Sequence, residues 1–271
     1  MSECFKSFTY DGKSTDSVIN TPLILASFDG VGSVVGLSRE ISKGDTTITR
    51  PTPNEYGTMA SLATIEYCLI KQDFEPFNTE EQREVEIWLT SPKFSTNLTV
   101  YDKDNQEVCT YCGLFTNTSW IPHSTGFSAV EFTFECNSAY PVKHFYKEYT
   151  INSSGIVTLD CESDELNEYI YPILTISGRS GSSSISITNL TDDGNTMTIG
   201  GNGITTIVFD CQHCIPKGSG GVISYSDLGW QDVGNIYWLR LIPGENQIQI
   251  SGSATIGFEY DCPYKLVGGW L

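Results

Sequence analysis

Residues 239–260 read LRLIPGENQIQISGSATIGFEY. Around Pro243-Gly244-Glu245-Asn246, apolar residues recur at every second position, Leu239 and Leu241 before the tetrapeptide and Ile248 and Ile250 after it. A period of two turns one face of an extended chain inward and the other to solvent, and a Pro-Gly pair with a polar residue behind it suits a tight reversal. The stretch is a folding device of an antiparallel β-structure, not a piece of chemistry.

Upstream, YPILTISG (171–178), SISITNL (184–190) and NTMTIGGNGITTIVFD (195–210) repeat the pattern at intervals of about ten residues, with glycine-rich turns between them. That spacing predicts an antiparallel β-sandwich over residues 146–271. A polar, acidic stretch, DCESDELNEY (160–169), falls in what reads as a crossover from Lys143 to about Tyr169.

The first half, residues 1–145, is also mainly β. Strand text opens it, with a turn at Asp11-Gly12 and an extended segment ending near Thr21-Pro22-Leu23. Polar alternation follows through REISKGDTTITRPTP (39–53). MASLATIEYCLIKQD (59–73) reads as a central strand through its β-branched middle, although its alanine and leucine content also permits helix. LTVYDKDNQEVCTYC (98–112) is a hairpin around Asp102-Lys103-Asp104-Asn105, and GFSAVEFTFEC (126–136) alternates through Val130, Phe132 and Phe134 before Pro141 ends the ladder. One helix stands out, from about Glu80 to Leu89: Asn78-Thr79 supplies a cap, Glu80 and Glu81 suit the positive end of the dipole, and Val85, Trp88 and Leu89 share a face.

Composition narrows the function. A chain of 271 residues with 39% hydrophobic residues can bury two cores. Its net charge of -18 opposes sequence-specific nucleic-acid binding, which draws affinity from Lys and Arg on phosphates. No stretch approaches the ~20 apolar residues of a membrane span, and MSECFKSFTYDGK lacks the basic and apolar regions of an export signal, so membrane insertion is not expected. Nine cysteines, odd in number and spread over both halves, read as reduced thiols.

The ordered series EEQREVEIWL (80–89), LTVYD (98–102) and EFTFECNSAYP (131–141) resembles the ring-forming domain of siphophage distal tail proteins. YPILTISG, SISITNL, IVFD (207–210) and the PGEN stretch resemble the galectin-like domain that follows in the same family. The resemblance covers nearly the whole chain and rests on order, since a Pro-Gly-x-Asn turn alone recurs in many sandwiches. It implies a non-enzymatic virion protein at the distal tip of a long non-contractile tail, made in the host cytoplasm. It further implies a homo-hexameric ring that joins the tail tube protein to the tail-tip hub protein or tail-associated lysin and to receptor-binding or baseplate proteins. The second half lacks the long arm that some members use to grip receptor-binding proteins. The alternative reading is a carbohydrate-binding adhesin acting through the sandwich.

No catalytic, cofactor-binding or metal-ligating residue is assigned. Cys109-x-x-Cys112 and Cys211-x-x-Cys214, the latter enclosing His213, have zinc-ligand spacing, but buried structural thiols are the better reading of strand-like text, and neither pair opens a helix as a redox motif does. Asp102-Lys103-Asp104-Asn105 begins like a calcium loop, yet its sixth position is Glu107 rather than Gly and its twelfth is Gly113. The histidines His123, His144 and His213 sit in no nucleophile motif, and sequence alone does not bring two of the 33 acids across a glycosidase cleft. Trp120, Trp230, Trp238 and Trp270 have faces that suit sugar rings but serve more often in cores and interfaces; alternation puts Trp238 with Arg240 opposite Leu239 and Leu241.

Overall fold

The computed structural model describes residues 6–26, 33–34, 39–43, 55–60, 64–179, 183–200, 203–230 and 236–265, with side chains described outside 27–63. The chain packs as two units, Met1–Pro141 with Lys265–Leu271 and Val142–Tyr264. Much of the 39–53 alternation and Trp270 lie outside the described residues.

In the first unit the strands are β1 Ser7–Tyr10, β2 Lys13–Ser14, β3 Leu23–Ala26, β4 Ser33–Val34, β5 Arg39–Lys43, β6 Glu55–Ala60 and β7 Thr64–Lys71. After helix α1, Thr79–Thr90, come β8 Thr96–Tyr101, β9 Glu107–His123 and β10 Gly126–Cys136. The antiparallel order is β3-β7-β10-β9-β8-β1-β2, with β4 also on β7 and β5 paired to β6. The strand reading of residues 59–73 holds over Thr64–Lys71, where Ile65, Tyr67 and Leu69 are all buried, whereas Met59 and Ala60 end the separate strand β6 and residues 61–63 lie outside the described residues.

Helix α1 forms where its caps and apolar spacing require. Asn78 accepts from the Glu80 and Glu81 amides, and the Glu81 carboxylate in turn accepts from the Asn78 amide, closing a capping box. Val85, Trp88 and Leu89 are the residues it buries. Trp88 stacks on Phe8 at 5.3 Å, and its Nε1 donates to the Tyr10 carbonyl at 2.8 Å. Around it, Phe115 meets Tyr10, Phe132 and Phe134 edge-on at 4.7, 5.1 and 5.0 Å, the geometry ring quadrupoles favour.

Within its own unit strand β9 pairs with β8 and then β10, and Gly113 is where it changes over, opposite Thr96 of β8 and Cys136 of β10. A Cβ at Gly113 would lie 2.1 Å from the Glu135 carbonyl oxygen, so only glycine fits.

The second unit holds β11 Val142–Ile151, β12 Ser154–Cys161, β13 Ile173–Ser177, β14 Ile185–Asn189, β15 Asn195–Ile199, β16 Ile207–Asp210, β17 Ile215–Gly218, β18 Gly221–Val222, β19 Gly244–Ser251 and β20 Ala254–Pro263. One sheet runs β11-β20-β13-β16-β17-β18 and the other β12-β19-β14-β15, all antiparallel. Between them Leu159, Ile187, Met197, Phe209, Leu239, Leu241, Ile248, Ile250 and Phe258 form one core. This is the expected sandwich. The reading of residues 143–169 as a crossover needs correction: β11 and β12 occupy most of it, and only the residues after Cys161 form a loop. β11 alternates between half-buried and exposed positions, which leaves too little apolar contrast to read as a strand.

Candidate functional site

The cysteine pairs separate. On a strand, residues three apart point to opposite faces, so Cys109 is buried while Cys112 is half-exposed. Burial pushes the Cys109 thiol up to about 12. Cys211 and Cys214 lie not in a strand but in the turn joining β16 to β17, where Cys211 is buried and Cys214, at φ 58°, is exposed. Asp210 organises that turn by accepting from the His213 amide at 3.1 Å and pairing with its Nδ1 at 2.9 Å. Burial raises the Asp210 carboxyl, but these hydrogen bonds outweigh it and hold the group below the usual aspartate range. No group of three or more His, Cys, Asp or Glu side chains converges as a metal site among the described residues.

Asp102-Lys103-Asp104-Asn105 is a hairpin turn. Asp102 Oδ1 accepts from the Asp104 and Gln106 amides, both at 2.8 Å, and Asn105 takes the left-handed conformation. The tryptophans are engaged in packing. Trp230 and Trp238 meet edge-on at 5.3 Å beside Phe209 and Tyr225, and the Trp230 indole donates to the Thr198 carbonyl. Trp120 donates to Glu86 Oε2 at 2.9 Å, and its ring meets Phe77 edge-on.

Around the PGEN turn the structure assembles a buried polar network that sequence reading missed. The half-turn is closed by a side chain: Asn246 accepts from the Ile242 amide at 2.9 Å and donates to the carbonyls of Ile242 and Gly244 at 2.8 and 2.9 Å. Gly244 sits at φ 96°, which a side chain would strain. Asn189 donates to Asn246 and to the Arg240 carbonyl, and Arg240 grips buried Asp192 through Nε and Nη2 at 2.8 and 3.1 Å. Burial raises the Asp192 carboxyl, yet Arg240 and Tyr237 outweigh it and hold it below the usual range. Arg240 also lies over the Tyr169 ring at 3.8 Å. The only sequence signal was a charged residue alternating with buried leucines.

The second unit has a cleft of about 340 Å3 lined by His144, His213, Asp210, Glu259, Asp261, Tyr169 and Tyr171 among others. Asp261 holds His144 at 2.8 Å and Asp210 holds His213. Among the described residues no serine or cysteine lines it, so neither histidine–carboxylate pair is set against the hydroxyl or thiol of a Ser or Cys triad.

The described residues of the first unit present exposed surfaces. Among them the strand order runs from β3 at one end to β2 at the other. Phe74, in the turn before α1, is 77% exposed and Phe94, just after it, 83% exposed, while Ile87 is exposed on the outer face of the helix. The acid excess favours neither unit: 19 acids against 10 bases in the first and 14 against 5 in the second. No helix among the described residues is long and apolar enough to cross a membrane.

Comparison with known proteins bears on these surfaces. Residues 4–138 match a family model described as phage tail protein N-terminal domain, and residues 139–260 one described as phage tail C-terminal domain. No curated protein sequence matches. The fold is similar to the crystal structure of the SPP1 Dit protein, titled a paradigm of the hub adsorption apparatus in phages infecting Gram-positive bacteria, at 16% identity over 94% of this chain and 98% of that one, with a TM-score of 0.59. It is also similar to a chain of the phage P2 baseplate in its activated conformation with Ca, at 12% identity over 97% and 99%, with a TM-score of 0.53.

Proposed function

The chain belongs to the phage tail proteins, and from that premise we propose that it is the distal tail subunit of a long non-contractile tail, six copies closing into a ring at the end of the tube. The observation that carries this reading is the tandem of family matches, 4–138 and 139–260, laid over two β-units. Residues 1–145 serve as the ring-forming domain and 146–271 as an outward galectin-like bracket. Ring closure needs two different complementary surfaces on each subunit, and the exposed Phe74, Ile87 and Phe94 are suitable material for one of them.

In this reading the ring joins the tail tube protein to the tail-tip hub protein or lysin and to receptor-binding or baseplate proteins. The subunit is made in the host cytoplasm, ends in the virion and catalyses nothing. The net charge of -18 keeps passing DNA from adhering to the ring. An adhesin would need open aromatic platforms, whereas Trp230 and Trp238 spend their rings on each other and on Phe209.

The test is mass and place. Six copies of the 29.9 kDa chain give a particle of about 179 kDa in native mass spectrometry, and antibody labelling marks the tube end of intact virions. A chain that stays monomeric at high concentration and is missing from that end refutes the proposal. Glycan-array binding by the full chain, lost on substitution of Tyr169 and Tyr171, favours the adhesin instead.

A further inference from the structure

Cys161 closes β12 and Cys262 sits near the end of β20, strands that belong to opposite sheets of the sandwich. The two residues are 101 positions apart in sequence, yet their sulfurs lie 3.7 Å from each other, both buried. The strand ends are tied on either side of them: the Tyr260 hydroxyl donates to the Asp160 carbonyl at 2.9 Å, and the Asp164 amide donates to the Pro263 carbonyl at 3.0 Å. A disulfide needs sulfurs at about 2.05 Å, so bond formation draws the two sulfurs together from contact distance.

We propose that Cys161 and Cys262 form a two-electron redox site, which a peroxide oxidises to a disulfide that fastens the two sheets of the second unit to each other. The sulfur that accepts the hydrogen bond attacks one peroxide oxygen, the O–O bond breaks, and one water leaves to give a sulfenic acid. The partner sulfur then attacks the oxidised sulfur, the S–O bond breaks, and a second water leaves with the remaining thiol proton. In sum, two thiols and one hydrogen peroxide become one disulfide and two waters.

The contact itself sets this pair apart from the other thiols. The hydrogen bond between the two sulfurs, which either thiol can donate, favours charge on the accepting sulfur against the opposing effect of burial. The accepting sulfur is thus the attacking one and its donor the resolving one. Burial instead pushes Cys68, Cys109 and Cys136 up, to about 11, 12 and 12. Burial of the pair favours a small oxidant such as peroxide over a bulky disulfide such as oxidised glutathione.

This inference goes beyond the proposed function, and its test is independent of it. The full chain, purified reduced, is treated with hydrogen peroxide under native conditions, alkylated after denaturation and mapped by peptide mass. The expected product joins the Cys161 and Cys262 peptides with the loss of two hydrogens, runs faster on a non-reducing gel, and melts on the order of 10 °C higher than the reduced chain, because a loop of about 100 residues is closed in the unfolded state. Cys161→Ser and Cys262→Ser each abolish the product and the shift. If a serine variant fails to fold, Cys161→Ala replaces it, and the wild-type peptide map stands without any variant. The proposal is overturned if both thiols remain fully alkylatable after peroxide, if the cross-link involves another cysteine, or if oxidised glutathione links the folded chain equally fast. The cross-link is read on the chain whatever its assembly state, so its failure leaves the ring reading standing, and the reverse also holds.

Discussion

Replacing Asn246 with alanine should unfold the second unit at a markedly lower temperature, although the residue touches no predicted ligand or partner surface. Its side chain is fully buried and makes four hydrogen bonds, to the Ile242 amide, the Ile242 and Gly244 carbonyls and the Asn189 amide group. Gly244 is exposed, so water can take over its carbonyl, and Asn189 keeps its bond to the Arg240 carbonyl. The Ile242 groups, half-buried, are left to compete for water on poor terms. At about 1 kcal/mol for each bond that water replaces and more for those it cannot, the loss comes to roughly 3 kcal/mol. An unfolding entropy of about 2.1 cal/mol/K per residue over a unit of roughly 120 residues converts that into a fall in Tm of about 12 °C. Calorimetry on the full chain reads it, with exposed Gln247→Ala as the neutral control, expected within about 0.5 kcal/mol. Asn246→Asp is expected to do no better than alanine, because a carboxylate would face two carbonyl oxygens. A fall under about 4 °C, or one matched by Gln247→Ala, would mean that the turn is held by its Pro-Gly backbone and not by the buried amide.

Phe94→Asp should dissociate the ring while leaving monomer Tm within the equivalent of about 0.5 kcal/mol, since the ring system is 83% exposed; native mass spectrometry showing intact hexamers would remove this residue from the interface. Gly113→Ala should destabilise the first unit by roughly 2 to 4 kcal/mol, because the Glu135 carbonyl occupies the space of the new methyl; wild-type urea unfolding would show that the strands part easily there. For Asp192 the folded carboxyl lies below its unfolded value near 3.9, so the unfolded chain binds more protons in between and stability rises with pH. The contribution is whole above about pH 4 and is lost as pH falls through the folded value, and Asp192→Asn should flatten that acid limb of the stability curve. An unchanged acid limb would show that Arg240 contributes nothing through its charge.

What could be read in advance was whatever local pattern decides. Asn78 with Glu80 and Glu81 specified the start of α1, and alternation through Val130, Phe132 and Phe134 specified β10, because capping and pleat act within a few residues. The PGEN stretch gave its buried face correctly, with Leu239, Leu241, Ile248 and Ile250 all in the core. It did not disclose that Asn246 closes the turn, since an asparagine after Pro-Gly reads as a solvent-facing turn residue until the facing strand covers it. β11 escaped because neither of its faces is fully buried within the unit, and the period-two signal is a signal of burial contrast, not of extended backbone.

The features with consequences beyond the fold are all long-range in sequence. His144 and Asp261 are 117 positions apart, Arg240 and Asp192 are 48 apart, and Cys161 and Cys262 are 101 apart. Spacing motifs fail for such pairs in both directions. Cys109 and Cys112 have ligand spacing but occupy opposite faces of β9, whereas Cys161 and Cys262 have no motif and lie in contact. A sandwich explains the asymmetry: its two sheets bring strand ends from distant parts of the chain face to face, while the pleat separates odd-spaced neighbours on one strand. In a β-protein of this kind, chemistry is therefore to be sought across the sheets rather than along the chain.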